Sequence, residues 1–354
     1  MARYIGLDVH AASCTLVVVG ESGKKVNTYV VETNARTLVD LIKTIPRPRY
    51  LCMEEGNQSA WLYEVLSAHV DELVVEGLRQ ERRRQGNKDD GRDALGSAQR
   101  LRTHSIESRV FKDVGCYGRL RELARVHRMH VQDSVRVQNR VKTLYRSRGI
   151  PTSRQTLYEP ENRDEWLRKL PSKTQLAAEM LLKEYDAIAP LRDEAEKQMV
   201  LEARKHPIRK VLGTVPGLGP IRVAQMIPIV ISPHRFRTKH QLWAYAGLGI
   251  VMRSSADWVP DKQGGWTRGN VQQTRGLNQN HNRVLKAIFK GAATTVIGRA
   301  DESCPIYQHY VAMLSNKVKP NLAKLTIARQ IAAISLSVWK KEEDYSPAKV
   351  KKTT

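Results

Sequence analysis

Cysteine is scarce in this sequence. The four cysteines, Cys14, Cys52, Cys116 and Cys304, are far apart and form no CxxC pair. The missing pair argues against a zinc site, and the low count argues against a disulfide framework. With 354 residues, the chain is long enough for two or three domains that each bury a hydrophobic core.

Long apolar runs are also missing. None approaches the ~18 consecutive residues that a membrane-spanning helix requires. Met1–Asp8 leads straight into a strand-like segment without a signal-peptide pattern. The hydrophobic content of 41% and the charged content of 27% are ordinary for a folded soluble protein. We therefore expect a cytoplasmic protein with no membrane partner.

Acidic residues are depleted in two parts of the chain. The whole sequence has 59 lysines and arginines against 36 acidic residues, which gives a net charge of +23. Residues 1–100 are balanced, whereas residues 101–150 hold 12 basic against 4 acidic side chains and residues 201–300 hold 16 against 3. Solubility alone does not explain such an excess, which is typical of surfaces that neutralise phosphates. The charge distribution therefore indicates a protein that binds nucleic acid.

The first hundred residues alternate predicted strands with predicted helices. The turn signal Glu21–Lys24 predicts an antiparallel hairpin, and the strands that follow alternate with helices, so we expect a mixed α/β sheet. Strands are predicted at Tyr4–Asp8, Thr15–Val19, Val26–Val31, Tyr50–Met53 and Glu72–Val75, and helices at Asn34–Lys43 and Ser59–His69.

Residues 114–206 have the apolar spacing of two long helices separated by a break at Gly149–Pro151. The pattern predicts an antiparallel or intermolecular coiled coil. His127, His130 and Ser134 interrupt the heptads, so both a plain helical spacer and an oligomerisation arm remain open. The third part begins near Pro207, with a glycine-rich turn between helices, an irregular basic segment, and two helices near residues 280–297 and 321–338.

Four acidic residues lie where a metal site is expected. Asp8 ends the first predicted strand, Glu54 follows the fourth, and Asp90 and Asp93 are three residues apart at the start of a predicted helix. Clustered carboxylates repel one another unless a cation intervenes, and their oxygens suit Mg²⁺ or Mn²⁺ in phosphodiester chemistry. In the alternative interpretation these residues are turn formers and helix-dipole partners. Glu55, next to Glu54, is an alternative metal ligand at that position.

The third part also contains a glycine-rich turn and a serine pair. The turn Val215–Ile221 fits either a phosphate-binding helix-hairpin-helix element or a simple helix-breaking loop. Ser254 and Ser255 precede a basic, glycine-rich stretch, and such a pair is most often a turn former or cap. Trp258 and Trp266 are candidates either to stack on bases or to cover a hairpin.

Five motifs in chain order resemble the transposases of the insertion-sequence one-ten family. Tyr4–His10 is similar to the family's opening strand, Met53-Glu54 to its second acidic motif, and Lys88–Ala94 to its Lys-x-Asp-x-x-Asp-Ala signature. Val215–Pro220 and Tyr245–Leu248 are similar to segments of its C-terminal domain. The resemblance runs essentially from end to end of the chain.

The resemblance implies a fold and a set of active-site residues. The family's metal-binding Asp-Glu-Asp-Asp set falls on Asp8, Glu54, Asp90 and Asp93, and its nucleophilic serine falls on Ser255, with Ser254 as the neighbouring alternative. The implied architecture is α/β plus mainly α: a RuvC-like, ribonuclease-H-type domain (residues 1–110), coiled-coil oligomerisation helices (111–206), a mostly helical transposase domain (207–340) and a charged tail (341–354).

The resemblance also implies a mechanism and its partners. Family members are guided by a structured bridge RNA that pairs with target and donor DNA. The acidic site of one protomer, with Mg²⁺ or Mn²⁺, and the serine of another combine in a dimer of dimers, and a phosphoserine link to DNA precedes strand exchange. Such a protein would work in the bacterial cytoplasm at the nucleoid. Contacts to nucleic acid are expected near Ser255, from Arg253, Lys262, Arg268 and Arg275.

Two other functions remain open. A metal-dependent, junction-resolving nuclease would cut with water and would keep cleaving after Ser255→Ala. A non-enzymatic nucleic-acid-binding protein would use the carboxylates as caps and turn formers, so Asp8→Asn would leave every activity unchanged.

Overall fold

The computed structural model describes residues 1–77, 90–113, 115–152, 155–255, 258–261, 263–269 and 272–349. The chain divides into two compact units, Met1–Cys116 and Tyr117–Thr354. The finer functional boundaries at residues 110, 206 and 340 stay predictions. Among the residues described, no helix is both long and apolar enough to cross a membrane.

The secondary structure of these residues combines short strands with longer helices. The strands are β1 (Arg3–Val9), β2 (Ser13–Gly20), β3 (Lys25–Glu32), β4 (Arg49–Glu54), β5 (Glu72–Glu76), β6 (Ile250–Ser255), β7 (Trp258–Pro260), β8 (Trp266–Arg268) and β9 (Gln272–Leu277). The α-helices are α1 (Ala35–Thr44), α2 (Ser59–Leu66), α3 (Asp90–Arg102), α4 (Gly118–Arg146), α5 (Arg163–Arg168), α6 (Ser172–Ala203), α7 (Ile208–Gly213), α8 (Pro220–Val230), α9 (Lys239–Tyr245), α10 (Arg283–Arg299), α11 (Pro305–Ser315) and α12 (Pro320–Lys341).

The first unit contains a five-stranded sheet with the order β3-β2-β1-β4-β5. β1 and β3 both pair antiparallel with β2, and the predicted Glu21–Lys24 turn, where Gly23 has a φ of +83°, joins β2 to β3. β4 pairs parallel with β1, and β5 pairs parallel with β4. The predicted mixed α/β sheet is therefore confirmed.

The two faces of this sheet carry different helices. In β1, Ile5 and Leu7 belong to the hydrophobic core that also contains the buried faces of α1 and α2. On the opposite face, Val17 and Val19 of β2 pack with the small side chains of α3. Side chains alternate along a strand, so successive residues face opposite layers. The sheet is thus covered by helices on both faces.

The second unit begins with two long helices that pack against each other. Early residues of α4 contact late residues of α6: Arg119 pairs with Glu202, and Arg140 pairs with Glu184. The two helices are therefore antiparallel within one chain, and the predicted break lies between them. Their shared core contains Val137, Val141, Tyr145, Ala178 and Leu182.

The predicted glycine-rich turn lies between α7 and α8 and packs against α10. Gly217 has a φ of +81°, and a Cβ at this position would lie 2.5 Å from the carbonyl oxygen of Ala292. Only glycine combines this backbone conformation with so close an approach.

The sequence predicted an irregular basic segment after α9, and this prediction was wrong. β6 pairs antiparallel with β9, and β7 pairs antiparallel with β8. All three residues of β7 are exposed, so this strand has no buried face to produce the alternating apolar pattern on which strand prediction depends. The helix α11 was also missed. The rest of the unit is mostly helical, as predicted.

Candidate active site

The carboxyl ends of the parallel strands β1 and β4 meet at one edge of the sheet. Asp8 is the penultimate residue of β1, and Glu54 is the last residue of β4. Because side chains alternate, Glu54 shares a face with Cys52, which packs with Leu101 of α3. Asp8 shares a face with Gly6. Both carboxylates therefore lie on the α3 side of the sheet.

Gly6 allows α3 to lie directly on β1. A Cβ at position 6 would be 1.8 Å from the carbonyl oxygen of Ala94 and 2.7 Å from the backbone nitrogen of Ala98. No side chain larger than hydrogen fits between these two backbones. The contact holds the first turn of α3, which carries Asp90 and Asp93, beside the end of β1.

His10 lies between two of the predicted ligands. Its Nε2 atom is 3.2 Å from Oδ2 of Asp8 and 3.2 Å from Oδ2 of Asp90. The donor atoms of the three residues all lie within 4.8 Å of one another. About half of the Asp90 side chain is exposed, and His10 and Asp8 are partly exposed. The three donors thus form a compact triangle that solvent can reach.

A cleft of about 310 Å³ opens at this edge of the sheet. Asp8, His10 and Glu54 line it together with Glu55 and residues 56–59. One water molecule occupies ~30 Å³ in the liquid, so the cleft has room for a phosphate group and several waters. It brings the strand-end carboxylates to one open surface.

The pKa of Glu54 is raised from its ordinary value, first by burial and then by neighbouring carboxylates. Burial raises the pKa of Glu54, Arg100 opposes that shift, and Glu76, Asp93 and Asp8 raise it further. A carboxylate whose pKa is raised by burial and by neighbouring negative charge becomes easier to ionise when a cation binds beside it. A cation beside Glu54 would oppose this rise in its pKa.

A buried ion pair ties α3 to the same edge. Arg100 donates to Oε2 of Glu76 through Nε at 2.9 Å and through Nη2 at 2.7 Å, and Glu76 is only 1% exposed. Nη2 of Arg100 is also 3.8 Å from Oε1 of Glu54. Because Glu76 ends β5 and Arg100 belongs to α3, the pair fixes the helix that carries Asp90 and Asp93 relative to Glu54.

Glu55, the alternative to Glu54, is engaged elsewhere. Its Oε1 atom accepts a hydrogen bond of 2.8 Å from Nζ of Lys112, and its backbone N–H donates to the carbonyl oxygen of Glu76. Lys112 therefore compensates the Glu55 charge locally. The geometry favours Glu54 as the residue that faces α3.

The predicted serine lies in the second unit. Ser255 is the last residue of β6, and its backbone pairs with Gln272 of β9, while Ser254 pairs with Gln273. The roles of these serines and of the basic residues around them stay predictions. Arg253 lies in β6, Arg268 in β8 and Arg275 in β9, whereas Lys262 lies outside the described residues.

Two family models match this chain. Residues 5–147 match a transposase model of the DEDD IS110 type, and residues 209–308 match the model described as the transposase IS116/IS110/IS902 family. The chain belongs to the IS110 family of transposases. The resemblance seen in the motifs is therefore confirmed, and the transposase is an enzyme whose substrate is DNA. No curated protein matches the chain.

The matched domain type and the donor set both point to a divalent metal ion. The carboxylate oxygens of Asp8, Asp90 and Glu54 are hard ligands of the kind that Mg²⁺ and Mn²⁺ take. The imidazole nitrogen of His10 is acceptable to transition-metal ions. The donor atoms of Asp8, His10 and Asp90 are close together and open to solvent, and Glu54 lines the same cleft as Asp8 and His10, so the residues of the transposase fit such an ion.

Sequence reasoning missed three residues of this site. His10 follows Asp8 by two positions, and the same period-two rule that gives the face of Asp8 also indicates His10. Glu76 is a third carboxylate at a strand end, one residue beyond the predicted strand Glu72–Val75. Arg100 carried no local signal, because its partner Glu76 is distant in sequence.

Proposed function

We propose that this transposase cuts and rejoins DNA by metal-assisted serine catalysis, guided by a structured bridge RNA. Asp8, Glu54, Asp90 and Asp93 hold Mg²⁺ or Mn²⁺, and Ser255 is the nucleophile. The observation that supports the proposal is that Asp8 and Glu54 line one open cleft at the edge of the sheet, with Asp90 close to Asp8 and Asp93 in the same first turn of α3, in a chain whose family consists of DNA transposases.

Serine catalysis would conserve the energy of the phosphodiester bond. The Ser255 hydroxyl loses its proton and its oxygen bonds to phosphorus, while the bond from phosphorus to a sugar oxygen breaks and that oxygen takes up a proton. The DNA strand stays attached as a phosphoserine ester. Attack by a sugar hydroxyl of another strand then releases the serine, so strand exchange needs no outside energy source.

A bound divalent cation would polarise the phosphate and make the serine hydroxyl more acidic. The chain's own contribution is to hold the ligands in place. Gly6 keeps α3 against β1, and the Arg100–Glu76 pair keeps it aligned with Glu54. The strand order and the acidic edge support a RuvC-like, ribonuclease-H-type first domain.

Nucleic-acid partners are supported by charge and by exposed aromatic rings. Residues 201–300 have 16 basic against 3 acidic side chains, a balance suited to the phosphates of DNA and of the bridge RNA. Trp258 and Trp266, on the hairpin formed by β7 and β8, are 59% and 67% exposed. Their exposure favours stacking on bases over the covering of a core.

An assembly of protomers is part of the proposal. Leu176, Met180 and Leu191 on α6 are 66%, 64% and 54% exposed, and their spacings of four and eleven residues place them along one stripe of the helix. The part of the chain that the structure describes leaves these three side chains open to solvent. The stripe supports α4 and α6 as an arm through which copies associate, in a coiled coil and a dimer of dimers.

A covalent-trapping assay tests the chemistry. Full-length transposase, its element RNA, Mg²⁺ and labelled element-junction DNA are mixed, and protein–DNA adducts are digested and mapped by mass spectrometry. We expect a phosphorylated peptide at Ser255 that is absent in Ser255→Ala and in Asp8→Asn. Ser254→Ala and Glu55→Gln are matched controls and should keep the adduct.

Other outcomes would select the alternatives. Cleaved DNA without an adduct, in the wild type and in Ser255→Ala, would indicate a water-using junction nuclease. Adduct formation that is unchanged in Asp8→Asn would show that serine attack does not need the carboxylate of Asp8. Adducts that form equally well without the RNA would show that the cleavage step does not depend on a guide RNA.

A further inference from the structure

We propose that His10 is a direct ligand of the divalent cation and that its imidazole makes the site prefer Mn²⁺ to Mg²⁺. The inference rests on the proposed metal-dependent function and adds to it a ligand outside the four carboxylates. It is carried by the geometry around Nε2, by the way the backbone of His10 is held, and by the chemistry of the imidazole.

The spacing of the donor atoms is that of neighbouring ligands around one ion. Oxygen ligands bind Mg²⁺ at ~2.1 Å in octahedral geometry, which places adjacent ligands ~3 Å apart. Nε2 of His10 is 3.2 Å from an oxygen of Asp8 and 3.2 Å from an oxygen of Asp90. Both contacts use the same ring nitrogen, and one N–H can point directly at only one of the two oxygens.

The backbone holds His10 at this position. Its N–H donates to the carbonyl oxygen of Ser13 at 3.0 Å, and its carbonyl oxygen accepts from the hydroxyl of Thr33 at 2.8 Å. These contacts tie the end of β1 to the start of β2 and to the segment before α1. The ring is partly exposed in the cleft beside Asp8, so an incoming ion can reach it.

The identity of the ligand sets the choice of metal. Mg²⁺ takes oxygen ligands almost exclusively, whereas Mn²⁺ is a transition-metal ion and also accepts an imidazole nitrogen, although less strongly than the later ions of its series. Replacing one oxygen ligand by nitrogen therefore favours Mn²⁺. Removal of the imidazole should weaken Mn²⁺ binding about tenfold and change Mg²⁺ binding much less.

Pulsed electron paramagnetic resonance of Mn²⁺ bound to the full-length protein tests the assignment. A directly bound imidazole nitrogen modulates the Mn²⁺ spin echo, and titration of the free Mn²⁺ signal gives the dissociation constant. We expect ¹⁴N modulation in the wild type, its loss in His10→Gln, and about tenfold weaker Mn²⁺ binding in that variant. Competition with Mg²⁺ measures the preference.

His104→Asn is the matched control. His104 is an exposed histidine of the same unit with a φ of +53°, a conformation that asparagine tolerates. This variant should keep both the modulation and the affinity.

Each outcome separates the inference from the proposed function. If Mn²⁺ binds the wild type but not Asp8→Asn, and no ¹⁴N modulation is seen, the carboxylate site stands and His10 is not a ligand. Tighter Mn²⁺ binding in His10→Gln would show that His10 competes with the metal, which also overturns the inference. If Asp8→Asn binds Mn²⁺ as the wild type does, the proposed metal site itself fails.

Discussion

Gly6 sets the distance between α3 and β1. A Cβ at this position meets the backbone of Ala94 rather than a side chain that can turn away. We expect Gly6→Ala to push α3 off the sheet, to lower the free energy of unfolding by about 2–3 kcal/mol, and to weaken Mn²⁺ binding, because the first turn of α3 carries Asp90 and Asp93. Urea denaturation and Mn²⁺ titration measure the two effects.

Gly20→Ala is the control for this substitution. Gly20 ends β2, and the nearest atom to its added Cβ would be 3.6 Å away, on Val26. We expect this variant to change stability by less than about 1 kcal/mol and to leave metal binding intact. Equal stability and equal metal affinity in both variants would contradict the close contact at Gly6.

At the scale of elements, Arg49 joins α1 to the sheet. The residue is 5% exposed. Its Nη1 atom donates to the carbonyl oxygens of Ile42, Lys43 and Ile45, and its Nε donates to that of His69. The carbonyls at the end of α1 are thus satisfied by one guanidinium instead of by water.

Replacing Arg49 tests this capping role. Arg49→Leu removes the guanidinium from two buried contacts, to the carbonyl oxygens of Ile42 and Ile45, and from the part-buried carbonyls of Lys43 and His69, so we expect the free energy of unfolding to fall by about 3 kcal/mol. Arg47→Ala removes only an ion pair with Asp71 from a side chain that is 54% exposed and should cost less than about 1 kcal/mol. Similar losses in the two variants, measured by urea denaturation, would rule out the capping role.

His127 makes the packing of α4, α6 and α8 depend on pH. It is 3% exposed, with Nε2 3.4 Å from Glu196 and Nδ1 3.3 Å from Gln225. Burial lowers the pKa of His127 and Glu196 opposes the shift, while Arg192 and His130 lower it further. The folded state therefore takes up a proton less readily than the unfolded state.

The sign of the resulting pH dependence follows from linkage. Below the ordinary histidine pKa of ~6.5 the unfolded chain binds a proton that the folded chain resists, so stability falls as pH falls from about 7.5 through that range. We expect His127→Gln to lose less stability than the wild type over this range in urea denaturation. The exposed His234→Gln control should keep the wild-type slope, and an unchanged slope in His127→Gln would contradict the prediction.

At the scale of the whole molecule, the exposed stripe on α6 predicts self-association. We expect the double variant Leu176→Glu/Met180→Glu to form smaller assemblies than the wild type in light scattering coupled to gel filtration, because charge replaces apolar contact area. Its secondary structure, measured by circular dichroism, should not change, since both side chains are exposed within one chain. Lys197→Glu, outside the stripe, should assemble as the wild type does. Equal masses for all three proteins would exclude the stripe as the interface.

The basic composition predicts a strong salt dependence of DNA binding. Each phosphate contact adds about one to the slope of log K against log salt. If Arg275 on β9 contacts phosphate as proposed, Arg275→Gln should reduce the slope by about one in fluorescence anisotropy titrations. Arg36→Gln, whose side chain is 92% exposed and lies in the charge-balanced residues 1–100, should not change it. An unchanged slope in Arg275→Gln would show that Arg275 does not contact a phosphate.

Much of the fold and part of the site were predictable because they are encoded locally. The strand runs from Tyr4 to Val75 alternate or cluster their apolar residues, and the turn signal at Glu21–Lys24 marks the hairpin, so elements and their order followed from neighbouring residues. Asn34, where the first helix is predicted to begin, caps α1, since its side chain accepts from the backbone of Arg36 and Thr37. Among the strands after α9, β7 was missed because all three of its residues are exposed, so it has no buried face and no apolar period.

The sequence by itself determined the family, the excess of basic charge, and the placement of Asp8 and Glu54 at strand ends, since each depends on residue order alone. Only the tertiary structure decided that Nε2 of His10 meets Asp90 and that Arg100 meets Glu76. These partners are distant in sequence, and local periodicity gives the face of a helix but not the strand on which it packs. That choice is made by close packing, here by the fit of α3 against Gly6.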